Sequence, residues 1–222
     1  MTEYLTEFSL NRLLTDKDRK ELKPMIENMA RALPDLISRK IPEANVQQAF
    51  VYRTVRELLV FGYSILSVGC YEDTAYEFLK YLGFNVVGID PVINHDLHTF
   101  KTINYLEYGI IFSTSVIEHV EDDEQFIKDI CDLLSVDGRA ILTCDFKDSY
   151  KSGDAVPYSN YRLYTEYDLN VRLRKVIENN GCKYIGDTSW KGEPDFWYQG
   201  HNYSFATMVF QKERTKSGYI LH

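Results

Sequence analysis

The run SILSVGCYEDTAYEFLKYLGFNVVGIDP, Ser64 to Pro91, constrains this chain more than any other stretch. A β-rich segment ends at Gly69, an amphipathic stretch from Ala75 to Leu82 closes at Gly83, and a second β-rich segment, Asn85 to Ile89, carries an acid at its tip, Asp90. Strand, turn, helix and returning strand make a βαβ unit, whose crossover places parallel neighbours in one sheet. In such open sheets ligands bind beyond the carboxyl ends of the strands, and a carboxylate about twenty residues after the first turn accepts ribose hydroxyls. Asp90 stands twenty-one positions after Gly69. Taken singly, Gly69 also reads as a plain strand-to-helix turn and Asp90 as a cap or solvated acid; together, the spacing favours a ribose site.

The alternation continues downstream. Strands are expected at Ser64–Val68, Asn85–Ile89, Ile110–Thr114 and Arg139–Cys144, with a weaker one at Thr99–Ile103. A helix over Asp122–Leu134 carries Phe126, Ile127, Ile130 and Leu133 on one side, and Asp137-Gly138 turns the chain. A further helix runs from about Glu166 to Asn180, and Cys182–Asp187 with Tyr203–Gln211 reads as an antiparallel closing pair. The first third reads as helices: a capping box at Thr15-Asp16-Lys17-Asp18, interruptions at Pro24, Pro34 and Pro42, then Val46, Phe50, Thr54 and Leu58 at helical spacing before Gly62. The expected fold is α/β: a Rossmann-like, seven-stranded, mostly parallel sheet with an antiparallel closing strand and helices on both faces. Residues 1–62 would be a helical extension or lid on a core of 63–222, in one compact domain.

Composition sets outer bounds. With 222 residues, 45% of them apolar, the chain suffices for one sizeable core. A net charge of −8 argues against nucleic acid, whose phosphates need clustered Lys and Arg. Cys70, Cys131, Cys144 and Cys182 are widely spaced without a C-x-x-C pair, which suits free thiols in a reducing cytoplasm. The N-terminus has neither the basic start nor the apolar run of a signal peptide, no later stretch reaches bilayer-spanning length, and Arg214 to His222 reads as a short polar tail.

The turn itself selects among nucleotide cofactors. A dinucleotide asks for G-x-G-x-x-G, so that its pyrophosphate lies against bare backbone at a helix N-terminus. Here Tyr71 and Thr74 fill the second and third glycine positions, and Glu72 and Asp73 would repel a pyrophosphate. S-adenosylmethionine has no phosphate, and its ammonium and sulfonium are positive.

Three pieces of the sequence resemble the class I S-adenosylmethionine-dependent methyltransferases, in particular their small-molecule group. They are the Gly69 turn with Asp90; IIFSTSVIEHVEDDEQFIKDICDLLSVDGRAILT, with its Glu-His-Val; and CKYIGD with YSFATMVFQK. Together they span about Ser64 to Lys212. The family usually has an acid just before the first glycine and a second glycine two positions after it, where this chain has Ser67 and Tyr71. The resemblance implies S-adenosylmethionine as cofactor, held by Ser67, Gly69, Cys70, Tyr71, Asp90, Pro91 and Ser115, and a small-molecule substrate.

Methyl transfer from a sulfonium is an in-line displacement, governed mainly by positioning, and only a protonated acceptor needs a base. Candidate bases are His119, Asp145 and His201, although His119 reads equally as a helix-start residue that bonds locally. Trp190, Phe196, Trp197, Tyr198 and Tyr203, interspersed with Glu193 and Asp195, suit a sugar face, or else cover the sheet edge. The loop Phe146–Tyr164, with Asp148, Asp154, Tyr158 and Tyr161, would be another substrate wall. His95 and His98 lack a third metal ligand, so no metal is expected. In place of the Asn/Asp-Pro-Pro-aromatic sequence of nucleic-acid amino methyltransferases stands Ser113-Thr114-Ser115-Val116, which favours an oxygen nucleophile. The wider pattern, including the YRLYTEYDL segment and the YSFATMVF strand, resembles sugar methyltransferases associated with bacterial surface polysaccharides, and that resemblance implies a carbohydrate hydroxyl as acceptor. The alternatives are a non-catalytic Rossmann-like binding module and a nicotinamide-dependent oxidoreductase.

Overall fold

The computed structural model describes residues 9–214; the first eight residues and the expected polar tail beyond Arg214 lie outside them. In chain order the elements are β1 (Asn11–Leu14), α1 (Asp16–Glu21), α2 (Lys23–Ala32), α3 (Pro34–Ile37), α4 (Asn45–Leu58), β2 (Ile65–Val68), α5 (Thr74–Tyr81), β3 (Val86–Ile89), α6 (Leu97–Ile103), β4 (Tyr108–Thr114), α7 (Asp123–Leu133), β5 (Leu134–Phe146), α8 (Leu173–Asn179), β6 (Cys182–Tyr184), β7 (Thr188–Ser189), β8 (Phe196–Tyr198) and β9 (His201–Lys212). Among the described residues they build one sheet in the order β3-β2-β4-β5-β9-β1-β7, with β6 and β8 also paired to β9. β3, β2, β4 and β5 are mutually parallel, and β9 runs antiparallel to β5. The expected mostly parallel sheet with an antiparallel closing pair is therefore present.

Apolar residues fill both faces of the sheet, as strands buried on two sides require. One face packs Ile127, Ile130 and Leu173 from α7 and α8; the other packs Phe50, Val51 and Leu79 from α4 and α5. The Thr15 box forms at the head of α1, where the Thr15 N–H donates to Asp18 Oδ2 at 2.8 Å.

Three segments differ from the sequence reading. Asn11–Leu14, expected to belong to a helical layer, is a strand inside the sheet: Leu13 lies opposite Ala206 and Leu14 opposite Phe205. Its buried Asn11 amide acts as an extra peptide unit, donating to the Ile185 carbonyl and accepting the Val209 N–H, both at 2.7 Å. Thr99–Ile103 is not a strand. It lies in α6, because Asp96 caps the helix, taking the Thr99 N–H at 2.9 Å and the Thr99 hydroxyl at 2.7 Å, and this outweighs the β-branched residues. Asp137-Gly138 forms a bulge within β5 rather than a turn: Asp137 has φ 62°, and the β4–β5 register shifts between Tyr108 and Ile110.

Candidate active site

The carboxyl ends of β2, β3 and β4 open into a cleft of about 820 Å³, within the usual size of a small-molecule site. Its floor is the turn after β2. Gly69 has φ 82°, and a Cβ there would come within 2.3 Å of Val116 Cγ2, so glycine is needed for both conformation and packing. The Gly69 and Cys70 N–H groups donate to the Ile89 carbonyl at 2.8 and 3.1 Å, which joins the turn to the tip of β3.

Asp90 sits at that tip and lines the cleft. Its carboxylate accepts the Val92 N–H at 2.8 Å and the Tyr71 N–H at 3.2 Å. Both bonds come from backbone, leaving lone pairs for ligand hydroxyls.

The next helix begins already satisfied. Asp73 Oδ1 accepts the Tyr76 N–H at 2.6 Å and Gln48 Oε1 accepts the Ala75 N–H at 2.8 Å. A diphosphate would have to displace both acceptors, one of them acidic. Burial pushes the Asp73 carboxyl up to about 6, against the lowering effect of its bonds to Tyr76, Thr114 and Gln48. Glu72, at φ 56°, pairs with Arg39 at 3.1 Å and Lys40 at 3.7 Å, tying the segment after α3 to the turn.

Past β4, Ser115 adopts φ 56°, its N–H donates to Thr143 Oγ1 at 3.1 Å, and its hydroxyl donates to Glu118 Oε1 at 2.6 Å. The exposed His119 ring follows in a 3-10 turn, with Nδ1 3.1 Å from the Ser159 carbonyl. If Nδ1 carries the proton, that contact leaves Nε2 as the ring's acceptor.

Of the predicted site residues, Gly69, Tyr71, Asp90, Pro91, Ser115 and His119 line the cleft. Ser67 is buried in β2, its Oγ without a hydrogen-bond partner. The Cys70 thiol is packed toward Gly88, and burial pushes it up to about 11. Asp145 lies buried below the cleft, where Asn160 Nδ2 donates to it at 2.9 Å. His201 pairs with Tyr198 across the β8–β9 hairpin; of the two, Tyr198 lines the cleft and His201 does not.

The aromatic run is largely interior. Trp190 is buried, with Nε1 donating to the Thr207 carbonyl at 2.9 Å, while Phe196, Tyr203 and Phe205 pack on one another. Asp195 pairs with Arg19, and the loop acids Asp148 and Asp154 accept backbone N–H groups of Glu166 and Lys151. The sequence reading passed over Glu118, beside His119 in the Glu-His-Val motif, and over Gln48, whose role depends on a contact twenty-seven positions away. Among the described residues no group of His, Cys, Asp and Glu is arranged to hold a metal, and no helix is long and apolar enough to cross a membrane.

A family described as a methyltransferase domain matches residues 16–191, well over half of the chain. This chain belongs to the methyltransferase-domain family. The methyltransferase has the class I Rossmann-like fold, and S-adenosylmethionine is its cofactor. It is similar in structure to the 1,6-didemethyltoxoflavin-N1-methyltransferase of Burkholderia thailandensis, solved with 1,6-didemethyltoxoflavin and S-adenosylhomocysteine: 12% identity, 91% of this chain, 92% of that chain, TM-score 0.54. A TehB-like SAM-dependent methyltransferase from Corynebacterium glutamicum aligns at 20% identity over 86% of this chain and 100% of that one, with TM-score 0.50. The cyclase SpnF aligns at 13% identity over 79% and 84%, also with TM-score 0.50. These likenesses establish the fold. No curated protein sequence matches the chain.

Proposed function

We propose that the methyltransferase transfers the methyl group to an oxygen nucleophile of a small molecule, with the donor held in the cleft between Gly69, Asp90 and Ser115. One observation carries the reading: Asp90 offers a carboxylate bonded only to backbone N–H groups, beside a helix start whose N–H groups are already taken by Asp73 and Gln48. Such a site suits a ligand with paired hydroxyls and positive charge and disfavours one with a diphosphate.

When bound, S-adenosylmethionine supplies an electrophilic methyl on a sulfonium. Asp90 would take the ribose hydroxyls, and the backbone of Gly69 and Tyr71 the amino-acid end. His119 is the base we assign: its ring is at the cleft, oriented by the Ser159 carbonyl, and Nε2 would remove the acceptor hydroxyl's proton. A sugar hydroxyl is the narrower version of this reading, placed in polysaccharide biosynthesis. Its support has shrunk to the exposed Trp197 and the cleft-lining Tyr198, since the other aromatics are packed inside. The widely spaced cysteines, all free and buried, support a cytoplasmic setting.

Calorimetric titration with S-adenosylhomocysteine, NAD and NADP tests the donor site. Heat with S-adenosylhomocysteine alone is expected; binding of NAD or NADP alone would replace the reading with an oxidoreductase, and silence with all three would favour a non-catalytic module.

A further inference from the structure

Beneath the cleft lie two acids that no part of the proposed chemistry uses directly. Glu118 and Asp145 are both buried, at 0% and 5% exposure. Glu118 Oε1 takes the Ser115 hydroxyl, whereas Oε2 has no partner when the group is treated as a carboxylate. Asp145 takes the Asn160 amide. The nearby arginines are committed elsewhere, Arg162 and Arg172 to Asp123 at 2.8 Å each. A buried carboxylate without a cation beside it is costly, and two that act directly on each other, as Glu118 and Asp145 do, are more so. A single proton between them removes the repulsion and supplies the missing donor at Oε2, as in other carboxyl pairs that cannot both ionise.

The pair is coupled to the site on two sides. Ser115, which lines the cleft, gives its proton to Glu118 and so can only accept from a ligand. The loop after β5 is held by the Tyr161 N–H donating to the Glu118 carbonyl at 2.8 Å, by Asn160 on Asp145, and by Ser159 on His119.

Resting on the proposed donor site, we propose that Glu118 and Asp145 hold one proton between them and act as a positioning pair, fixing Ser115 as an acceptor toward the donor and pinning residues 159–161 against His119. The groups facing the pair are Ser115 from the end of β4, His119 from the turn, Cys144 from β5, Asn160 and Tyr164 from the loop, and Tyr203 from β9. Burial raises both carboxyls, and for Asp145 the Glu118 charge adds to it. Burial also raises the Cys144, Tyr164 and Tyr203 hydrogens out of competition, leaving the pair as the nearest raised acids. Loss of the shared proton at alkaline pH would place two charges in contact and loosen both attachments.

The test joins infrared spectroscopy to calorimetry, with S-adenosylhomocysteine as probe. The wild-type protein should show a protonated carboxyl band at neutral pH that is absent from the Glu118→Gln/Asp145→Asn double variant. Wild-type Kd should rise about tenfold, the equivalent of one pKa unit, as pH becomes alkaline, and the double variant should lack that step. Ser115→Ala should keep the band yet lose the step, an outcome that a merely structural pair would not produce. No band in the wild-type protein, or identical Kd profiles in all three proteins, would overturn the proposal. If no form binds S-adenosylhomocysteine, the donor site fails and the positioning role with it, while the band still decides whether the proton is shared.

Discussion

Gln48 accepts the backbone N–H of Ala75, so a side chain from α4 completes the cap of α5, the helix that follows the glycine turn. The segment before the βαβ unit thereby contributes to the cleft's wall, which Gln48 lines. Gln48→Ala exposes one helix N–H and should cost about 1 kcal/mol in urea denaturation, the usual worth of a cap. The variant should still give no heat with NAD, because Asp73 remains at the helix start.

Asp90→Ala removes the acceptor at the tip of β3. S-adenosylhomocysteine affinity should fall by about 1.5–3 kcal/mol, the worth of hydrogen bonds to a charged group. Unchanged affinity in a folded variant would show that this acid is not on the ribose.

Asp73 links pH to stability. Its raised carboxyl means that the folded protein holds the proton more tightly than the unfolded chain, so the stability gained is complete below its ordinary value of 3.8 and is lost as pH rises through about 6. Asp73→Asn keeps a capping oxygen and cannot ionise. Thermal melts should place the variant level with the wild-type protein in acid and above it at neutral pH, by up to about 3 kcal/mol.

Asp123 carries the opposite sign. Burial acts to raise it, but the Arg172 hydrogen bond and charge, with Arg162 and Tyr164, hold it below its ordinary value. Asp123→Ala leaves two arginines facing each other over a void and should cost about 3–5 kcal/mol by chemical denaturation. Lysine introduced at Thr102, an exposed position on α6, offers a comparison that should lie within about 0.5 kcal/mol of the wild-type protein.

His119→Ala should preserve S-adenosylhomocysteine binding and slow methyl transfer once an acceptor is in hand. An unaltered rate would remove His119 as the base and leave it the local hydrogen-bonding role that its contact with Ser159 also allows.

The features legible in the sequence were those set by local spacing. Gly69 and Asp90 declare themselves because one βαβ unit fixes both, and α7 because Phe126, Ile127 and Ile130 repeat on one face. β1 was not legible, since Leu13 meets Ala206 across the whole length of the fold and nothing in NRLL announces that partner. Trp190 looked like a binding surface because composition cannot tell an aromatic that stacks on a ligand from one whose N–H is satisfied by the Thr207 carbonyl. Glu118 stood in plain view beside His119, but its meaning depends on burial and on Asp145, twenty-seven positions later, reaching the same point from the neighbouring strand.

The placement of β1 has a consequence for how the protein is made. Its ladder partners, β9 and β7, follow it by more than 170 positions, whereas β2, β3, β4 and β5 can pair with one another before those partners are made. β1 thus waits for partners made long after it, and until they appear Leu13 and Leu14 are an apolar edge in search of a neighbour.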